Sequence, residues 1–245
     1  MKGRRALVTG SVTGIGRAIS EDLAAAGAAV VAHGLEGEQV SQTAAAWRAR
    51  GFAVAESIAD LAQAEGPARL ERDIAAWGRP DILVLNASVE IPMTWQEVDL
   101  AAMQTQWAIN VQASILLIQR FLPHMIEQGW GRVLALGSVQ EDRPNAHHLI
   151  YAATKAAQTS AILNLARTVR APGVTFNVLK PGAIETDRNR ARLAEPKTRS
   201  DVVGRIPLAR LGAPEDCVAA ARLLCSEEGG YINGAELHVD GGLRL

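Results

Sequence analysis

Short apolar runs alternate along the chain with longer segments in which apolar residues recur every three or four positions. The short runs are rich in Val, Leu and Ala, as is typical of strands that are buried on both faces of a parallel sheet. The longer segments have the spacing of helices that pack one face on a core. Strands are predicted at 4–10, 28–34, 52–57, 81–87, 131–138, 174–182 and 235–242, and helices at 14–26, 37–50, 61–77, 97–128 and 150–170.

This alternation predicts an α/β fold with a doubly wound parallel sheet of about seven strands and helices on both faces. No linker, repeat or low-complexity tract divides the chain, so we expect residues 1–245 to form a single domain. The segment 183–213 interrupts the rhythm, and a long insertion of this kind is often a lid over a site. We call residues 183–213 the lid segment.

The charge balance excludes several classes of partner. The chain has 25 Lys and Arg against 26 Asp and Glu, a net charge of -1, which gives no basic surface for nucleic acid or anionic lipid. No stretch approaches the roughly 20 apolar residues of a membrane span, and the apolar run near the N-terminus is much shorter than a signal peptide requires. We therefore expect a soluble cytoplasmic protein whose partners are small molecules or other protein chains.

The two cysteines, Cys217 and Cys225, fall in one predicted helix after Pro214. Eight residues of helix separate them by about 12 Å, too far for a disulfide. No His or Cys stands beside them at the spacing of metal ligands, and the pair His147 and His148 lacks a third ligand. We interpret the cysteines as packing thiols and predict no metal site.

Glycines cluster in the turn that follows the first predicted strand, in the stretch TGSVTGIGRAI. Backbone N–H groups at a helix N-terminus bind phosphate, and side chains at these positions would obstruct it. The spacing of Gly10, Gly14 and Gly16 is GxxxGxG, which differs from the GxGxxG dinucleotide fingerprint. The position between the first strand and the first helix is nevertheless the one where a pyrophosphate lies in doubly wound sheets.

Tyr151 and Lys155 stand four positions apart in a predicted helix, so they share one face. A free tyrosine, with a pKa of about 10, transfers protons poorly near neutral pH. An ammonium nearby favours the phenolate and lowers that pKa. The pair therefore predicts a tyrosine that acts as a general acid or base.

The motifs, taken in order, resemble the short-chain dehydrogenase/reductase family, of the Tyr-x-x-x-Lys type with a TGxxxGIG glycine loop. The resemblance covers nearly the whole chain and implies a Rossmann-type sheet. The matching residues are TGxxxGIG at 9–16, Asp60 and Leu61, LNAS at 85–88, INV around Asn110, Ser138, YxxxK at Tyr151 and Lys155, PGAIET at 181–186 and the closing VDGG.

The resemblance implies a catalytic tetrad of Asn110, Ser138, Tyr151 and Lys155. Ser138 would bind the substrate oxygen, and Asn110 would anchor a water that links Lys155 to solvent. Lys155 would also hold the nicotinamide ribose. The residues expected around the cofactor are Gly10, Thr13, Gly14, Ile15, Gly16, Gly34, Leu35, Asp60, Leu61, Asn86, Ala87, Ser88, Tyr151, Lys155, Pro181, Gly182, Ile184 and Thr186.

One residue departs from the family pattern. Ser88 stands where the family usually has the glycine of Asn-Ala-Gly. A glycine there lets the cofactor pass close to the backbone, so Ser88 is expected either to narrow that passage or to add a hydroxyl near the ribose.

The second strand ends in AHGLEGE, where the cofactor's adenosine ribose is expected. An acidic residue at this strand end binds the 2′-hydroxyl of NAD, whereas Arg or Lys binds the 2′-phosphate of NADP. Gly34, Leu35 and Thr13 occupy the discriminating positions, and Glu36 and Glu38 lie nearby. With no cation to neutralise a phosphate, NAD is favoured and NADP remains possible. Arg17 is the one residue that could reverse this preference.

The segment 139–150 between two catalytic residues is polar, which would suit a polyol or sugar whose buried hydroxyls must be paired. The alternative is that these side chains are solvated loop residues. Six Arg and Lys residues at 187–205 would instead favour a 3-oxoacyl or 3-hydroxy-acid substrate, unless they are the wet face of a helix. The candidate substrate residues are Trp95, Gln140, His147, His148 and Arg188.

Two functions therefore compete. The first is an NAD(P)-dependent oxidoreductase that interconverts a secondary alcohol and a ketone. The second is a catalytically silent NAD(H)-binding sensor or scaffold, which the intact tyrosine and lysine argue against. An enoyl reductase is disfavoured, because enoyl reductases of this fold resemble YxxxxxxK. The resemblance also implies a tetramer or dimer that pairs through the helices at 97–128 and 150–170.

Overall fold

A computed structural model describes all 245 residues and contains one sheet of seven parallel strands. The strand order is β3-β2-β1-β4-β5-β6-β7, and every neighbouring pair is parallel. The sheet and its flanking helices confirm the predicted doubly wound α/β fold. The strands are β1 Arg5–Val8, β2 Ala29–Gly34, β3 Val54–Ile58, β4 Ile82–Leu85, β5 Gly131–Leu136, β6 Val174–Pro181 and β7 Glu236–Val239.

Nine α-helices connect the strands or cover the sheet. A π-helical segment, Ala108–Gln112, joins the fourth helix to the fifth. The helices are α1 Gly14–Ala25, α2 Gly37–Ala49, α3 Gly66–Asp73, α4 Leu100–Trp107, α5 Ala113–Glu127, α6 Leu149–Thr168, α7 Asp187–Leu193, α8 Pro196–Val203 and α9 Val218–Cys225.

The apolar strands are buried on both faces, because successive side chains point to opposite sides of the sheet. In β1, Ala6 and Val8 join a core with α1, α2 and α9, whereas Leu7 joins a second core with α3, α5 and α6. All three residues are completely buried. The apolar run that predicted a parallel strand therefore contributes side chains to two separate cores.

Two predicted helices are interrupted in the structure. The helix predicted at 97–128 is divided by the π-helical segment, which contains Asn110. The helix predicted at 61–77 is shorter, because the Asp60 carboxylate accepts from the backbone N–H of Ala62 and holds a turn. Pro67 then stands in the first turn of α3, where its missing N–H costs little.

The lid segment contains two short helices, α7 and α8. A bridge between Ile184 and Gly212 joins its two ends. The lid segment leaves the sheet directly after β6, so it stands beside the carboxyl ends of the strands.

Cys217 and Cys225 are free and buried, and burial raises the pKa of each thiol to about 12. None of the helices has both the length and the apolar character that crossing a bilayer would require.

Candidate active site

A cavity of about 660 Å³ lies along the carboxyl ends of the central strands. It is lined by residues that follow β1, β2, β4, β5 and β6 and by one side of the lid segment. Strand order reverses between β1 and β4, and such switch points are where ligands bind in doubly wound sheets. The cavity therefore lies where the glycine loop and the Tyr-Lys pair predicted a site.

The glycine loop is held in place by a buried histidine. The backbone N–H of Gly10 donates to Nδ1 of His33 at 2.9 Å. The Oγ of Ser11 donates to the carbonyl oxygen of Val31 and accepts from the N–H of His33, both in β2. Burial lowers the pKa of His33 to about 4, so its ring is neutral at ordinary pH and can accept this bond. Sequence reasoning missed His33, because its partner on the loop becomes visible only when β1 and β2 are paired.

Gly16 has a packing role in this structure and does not line the cavity. A Cβ on Gly16 would lie 2.4 Å from Nδ2 of Asn86 and 2.5 Å from the carbonyl oxygen of Gly10. Asn86 uses that same Nδ2 to donate to Thr9 and Gly10. The glycine therefore allows α1 to approach the end of β4 closely.

The first turn of α1 is open to an anion. Thr13, the residue that precedes the helix, makes no side-chain cap, so the first N–H groups of α1 are left for another partner. Gly10 and Gly14 have positive φ values of 66° and 51°, which glycine adopts without strain. An uncapped helix end with glycines around it, facing a cavity of this size, fits the pyrophosphate of a dinucleotide.

The far end of the cavity, next to β2 and β3, carries no positive charge. Leu35 is 63% exposed, and Arg17 pairs with Glu21 at 2.8 Å and does not reach the cavity. Charged groups at this end are carboxylates. The lining residues here are His33, Gly34, Leu35, Glu36, Gln39, Ala59, Asp60 and Leu61.

Most residues predicted to surround the cofactor line this cavity together. Gly16 is the exception, for the packing reason given above. The predicted residues in the lining are Gly10, Thr13, Gly14, Ile15, Gly34, Leu35, Asp60, Leu61, Asn86, Ala87, Ser88, Tyr151, Lys155, Pro181, Gly182, Ile184 and Thr186.

Lys155 is buried, with 1% of its surface exposed. Its Nζ donates to the carbonyl oxygen of Leu136 at 2.7 Å and to Oε1 of Gln158 at 3.1 Å. Burial lowers the pKa of Lys155 to about 7, and the positive charge of Arg188 acts in the same direction. The Lys155 ammonium therefore loses its proton near neutral pH.

Tyr151 differs from the expectation drawn from its spacing to Lys155. Burial raises the pKa of the Tyr151 phenol, and the cation that chiefly opposes this is Arg188 of the lid segment. The charge of Glu90 raises the pKa further, whereas the hydroxyls of Ser138 and Ser88 lower it. Lys155 is not among the groups that shift the pKa of Tyr151, since a lysine with a pKa of about 7 is already neutral at the pH where the phenol titrates.

Ser138 follows β5 and begins a short 3-10 helix, Val139–Glu141. Its Oγ accepts from the backbone N–H of Gln140 at 3.1 Å, and its own N–H donates to Oε1 of Glu141 at 2.7 Å. Glu141 is paired in turn with Lys180 at 3.2 Å. This is a capping box, whose Ser-x-x-Glu spacing could have been read in the sequence and was not.

Asn110 is completely buried in the π-helical segment. Its Oδ1 accepts from the N–H of Val89 at 2.8 Å, and its Nδ2 donates to the carbonyl oxygen of Val89 and to Oγ1 of Thr154, both at 2.9 Å. Both amide protons are therefore used, and the side chain ties the segment after β4 to α6. The predicted water relay through Asn110 stays a prediction.

Ser88 binds the lid segment. Nη2 of Arg188 donates to the carbonyl oxygen of Ser88 at 2.6 Å and to its Oγ at 3.1 Å. The hydroxyl that departs from the family pattern thus has a partner 100 residues away. This pair spans the cavity beside Tyr151 and connects the lid segment to the end of β4.

The predicted substrate residues divide into two groups. Gln140, His148 and Arg188 line the cavity, whereas Trp95 and His147 do not. Trp95 is 71% exposed, because the Thr94 to Glu97 turn, closed by two bonds to the Glu97 carboxylate, holds it at the surface. His147 is exposed and contributes its backbone carbonyl to Met93.

Several lining residues were not predicted individually. Glu90 lies in the stretch after β4 and pairs with His148. Arg192 and Arg205 come from the lid segment, and Arg143 comes from the segment before α6. In contrast, Arg190 and Arg199 of the lid segment form surface pairs with Asp187 and Glu185. The basic run in the sequence is therefore partly a solvated face and partly a cavity lining.

Comparison with known proteins agrees with this geometry. A family model described as Enoyl-(Acyl carrier protein) reductase matches residues 10–244. The 3-oxoacyl-[acyl-carrier-protein] reductase FabG of Salmonella typhimurium is 34% identical over 248 residues, covering 100% of this chain and 98% of that protein.

Solved structures are similar over the same length. A 3-oxoacyl (acyl-carrier-protein) reductase from Agrobacterium tumefaciens with NADP bound has a TM-score of 0.93 and 37% identity, covering 98% of this chain and 94% of that chain. A gluconate 5-dehydrogenase from Burkholderia cenocepacia in complex with NADP and tartrate has a TM-score of 0.93 and 32% identity, covering 99% and 96%.

Fold, cavity and relatives define the class of this protein as an NAD(P)-dependent oxidoreductase built on a Rossmann-type sheet. Within that class, the chain belongs to the short-chain dehydrogenase/reductase family.

Proposed function

We propose that this protein interconverts a secondary alcohol and a ketone on a polyhydroxylated substrate, a polyol or a sugar, with NAD as the favoured cofactor. The observation that carries this proposal is the polar lining beside Tyr151. Oε1 of Gln140 is buried there without a hydrogen-bond partner. A buried acceptor without a partner costs free energy, which a substrate hydroxyl would recover.

The proposed chemistry follows from the positions of the side chains. When bound, the nicotinamide would exchange a hydride with the carbinol carbon. Tyr151 gives its phenolic proton to the ketone oxygen in reduction and takes it back in oxidation. The Oγ of Ser138 already accepts from Gln140, so its own proton is free to donate to the same oxygen.

Lys155 and Arg188 would have different roles beside Tyr151. In its ammonium form Lys155 has three donor positions, of which two are used inside the protein and one is left for a ribose hydroxyl. Arg188 faces Tyr151 and favours the phenolate. We therefore assign ribose binding to Lys155 and part of the tuning of Tyr151 to Arg188.

NAD is favoured because the adenosine end of the cavity presents Leu35, Glu36 and Asp60 and no cation. An NADP 2′-phosphate there would lose its hydration without gaining an ion pair. The similar structures that carry NADP argue in the other direction for those proteins. The ratio of the NADH and NADPH dissociation constants decides the matter for this chain.

A 3-oxoacyl or 3-hydroxy-acid substrate is the second candidate. Arg188, Arg192 and Arg205 line the cavity from the lid segment and could receive a carboxylate or phosphate. Relatives of this length include 3-oxoacyl reductases and an acetoacetyl-CoA reductase from Allochromatium vinosum, 32% identical. The observation against it is the polar lining near Tyr151, which a fatty-acyl chain would leave unpaired.

We also propose that the protein acts as a homo-oligomer, a dimer or tetramer. One side of α4 and α5 exposes Leu100, Met103, Trp107 and Ile115, with Trp107 exposed by 51%. A stripe of this kind is an expected contact between copies, since the family resemblance places subunit pairing on these helices. Light scattering after size exclusion measures the state directly.

The experiment compares the wild type with Tyr151→Phe on polyols, aldoses, aldonates and 3-hydroxy acids, with NAD and with NADP. We expect the wild type to turn over a polyhydroxylated substrate with NAD, and the variant to lose a factor of about 10² to 10⁴ in kcat. Binding of NADH, followed by fluorescence, should be the same in both proteins.

Three outcomes would count against parts of the proposal. A wild type that binds NADH and turns over nothing in the panel would support the sensor or scaffold function. Turnover of 3-hydroxy acids alone would favour the second candidate. Equal activity of the variant would remove Tyr151 from the chemistry.

A further inference from the structure

An acidic residue and a histidine form a pair in the wall of the cavity, next to Tyr151. Nε2 of His148 lies 2.5 Å from Oε1 of Glu90, and the two residues are 58 positions apart. The ring of His148 stands edge-on to that of Tyr151, with 6.3 Å between the ring centroids. No step of the proposed reaction uses this pair.

The backbone fixes both members. His148 is the residue before α6, and its carbonyl oxygen accepts from the N–H of Ala152 at 2.8 Å. A bridge between Met93 and His148 joins the segment after β4 to the start of α6. Glu90 sits one residue after Val89, which Asn110 holds on both its N–H and its carbonyl oxygen.

Each member keeps a polar atom without a protein partner. Only Oε1 of Glu90 is used in the pair, and the side chain is 24% exposed towards the cavity it lines. His148 is 91% buried, and its Nδ1 makes no hydrogen bond with the protein. Nε2 is the ring nitrogen that is used in the pair with the carboxylate.

Glu90 is held in its ionised form. Its pair with His148 and the charges of Arg188 and Arg192 lower the pKa of the carboxyl, against the opposing effect of burial. The free oxygen of Glu90 is therefore a charged acceptor, which binds hydroxyl donors more strongly than a neutral oxygen does.

We propose that Glu90 and His148 form a hydroxyl-binding subsite that accepts hydrogen bonds from a substrate hydroxyl adjacent to the reacting carbon. Glu90 contributes the free carboxylate oxygen, and His148 fixes the carboxylate through Nε2. This inference rests on the proposed function and narrows it, since it makes the subsite the determinant that selects an α-hydroxy ketone or vicinal diol.

A carboxylate acceptor beside Tyr151 distinguishes the two candidate substrate classes. The carbon next to the reacting ketone carries a hydroxyl donor in a polyol or sugar. In a 3-oxoacyl chain the neighbouring groups are methylenes, and the next polar atom is another acceptor. Such a chain would bury the Glu90 carboxylate without a donor, and sites built for hydroxyls discriminate strongly against analogues that lack them.

The test uses three ketones with NADH: acetoin, which has a hydroxyl beside the carbonyl, 2-butanone, which lacks it, and ethyl acetoacetate, a 3-oxo ester. We expect the wild type to prefer acetoin by kcat/KM. Glu90→Leu and His148→Phe should each lower the acetoin to 2-butanone ratio by about tenfold to hundredfold, with NADH binding unchanged. Glu90→Gln, which keeps an amide oxygen, should fall between them and the wild type.

The ratio of two ketones is chosen because Glu90 also acts on the pKa of Tyr151. An effect on Tyr151 changes both reactions equally and cancels, so only loss of the hydroxyl contact moves the ratio. Glu97→Gln is the matched control, because Glu97 lies in the same segment but bonds to Thr94 outside the cavity. It should leave the ratio as in the wild type.

The outcomes separate the subsite from the function on which it rests. A wild type that binds NADH but reduces none of the three ketones and no sugar would overturn the proposed function. A wild type that reduces them with a ratio unaffected by Glu90→Leu and His148→Phe would overturn the subsite alone. Preference for ethyl acetoacetate in the wild type would overturn the subsite and favour the 3-oxoacyl candidate.

Discussion

Replacement of Lys155 by methionine should change how stability depends on pH. Lys155 is buried, and its pKa falls from an ordinary 10.5 to about 7 in the folded protein. Methionine is a similar unbranched side chain without a charge. The difference in unfolding free energy between the two proteins, followed against pH, therefore reports the cost of burying the Lys155 charge.

The sign follows from proton counting. Between pH 7 and 10.5 the unfolded chain holds the Lys155 proton and the folded protein releases it, so wild-type stability rises with pH. Below about pH 6 both states are protonated and the slope vanishes. Each pH unit between pH 7 and pH 10.5 raises the free energy of unfolding by about 1.4 kcal/mol at most. Between pH 7 and pH 9 the wild type therefore gains about 2 kcal/mol of stability relative to Lys155→Met.

For a chain of 245 residues, 2 kcal/mol corresponds to about 4 °C in Tm. The variant also loses the bonds to Leu136 and Gln158, which lowers or raises its stability by an amount independent of pH. Other groups with shifted pKa values, such as His33 and Cys225, are identical in both proteins and cancel.

The assay is chemical or thermal unfolding of both proteins at pH 6, 7, 8 and 9, with the difference plotted against pH. The control is Lys197→Met, because Lys197 is exposed on the lid segment and should follow the wild type. Parallel curves for the wild type and Lys155→Met from pH 7 to pH 9 would mean that the buried lysine keeps an ordinary pKa, and the reasoning would fail.

Two other substitutions test the cofactor end of the site. Gly16→Ala places a Cβ against Gly10 and Asn86, so we expect a loss of roughly 1–3 kcal/mol in unfolding free energy and weaker NADH binding. Gly37→Ala, whose Cβ meets only the flexible end of Ile58 at 3.2 Å, is the control, and equal effects would contradict the packing argument. Leu35→Arg supplies the missing cation and should shift the ratio of the NADH and NADPH dissociation constants towards NADPH by tenfold or more. An unchanged ratio by fluorescence titration would show that this strand end does not contact the 2′ position.

The parallel strands and the position of the cavity were predictable from local pattern. A parallel strand buried on both faces has a distinctive composition, and the glycine loop and the Tyr-Lys spacing lie within single elements. The division of the helix at 97–128 was not predictable in the same way. The π-helical turn at Asn110 depends on bonds to Val89 and Thr154, which come from two other parts of the chain.

The pKa shift of Tyr151 was likewise not predictable from local sequence. Helical spacing placed Lys155 beside the phenol correctly, but it carried no information about burial, which lowers the pKa of Lys155 and raises that of Tyr151. The cation that opposes this rise, Arg188, lies on the lid segment. A charge contributed from a distant segment has no local signature.

Ser88 connects these observations. Taken alone, it is a departure from a glycine motif and suggests an obstructed cofactor passage. In the folded chain its oxygens hold Arg188, and Arg188 in turn favours the ionised forms of Tyr151 and Glu90. Because Arg188 joins the lid segment to Ser88 in the cavity wall, a change at Ser88 is expected to act on the substrate wall and on proton transfer together, and less on the binding of the cofactor.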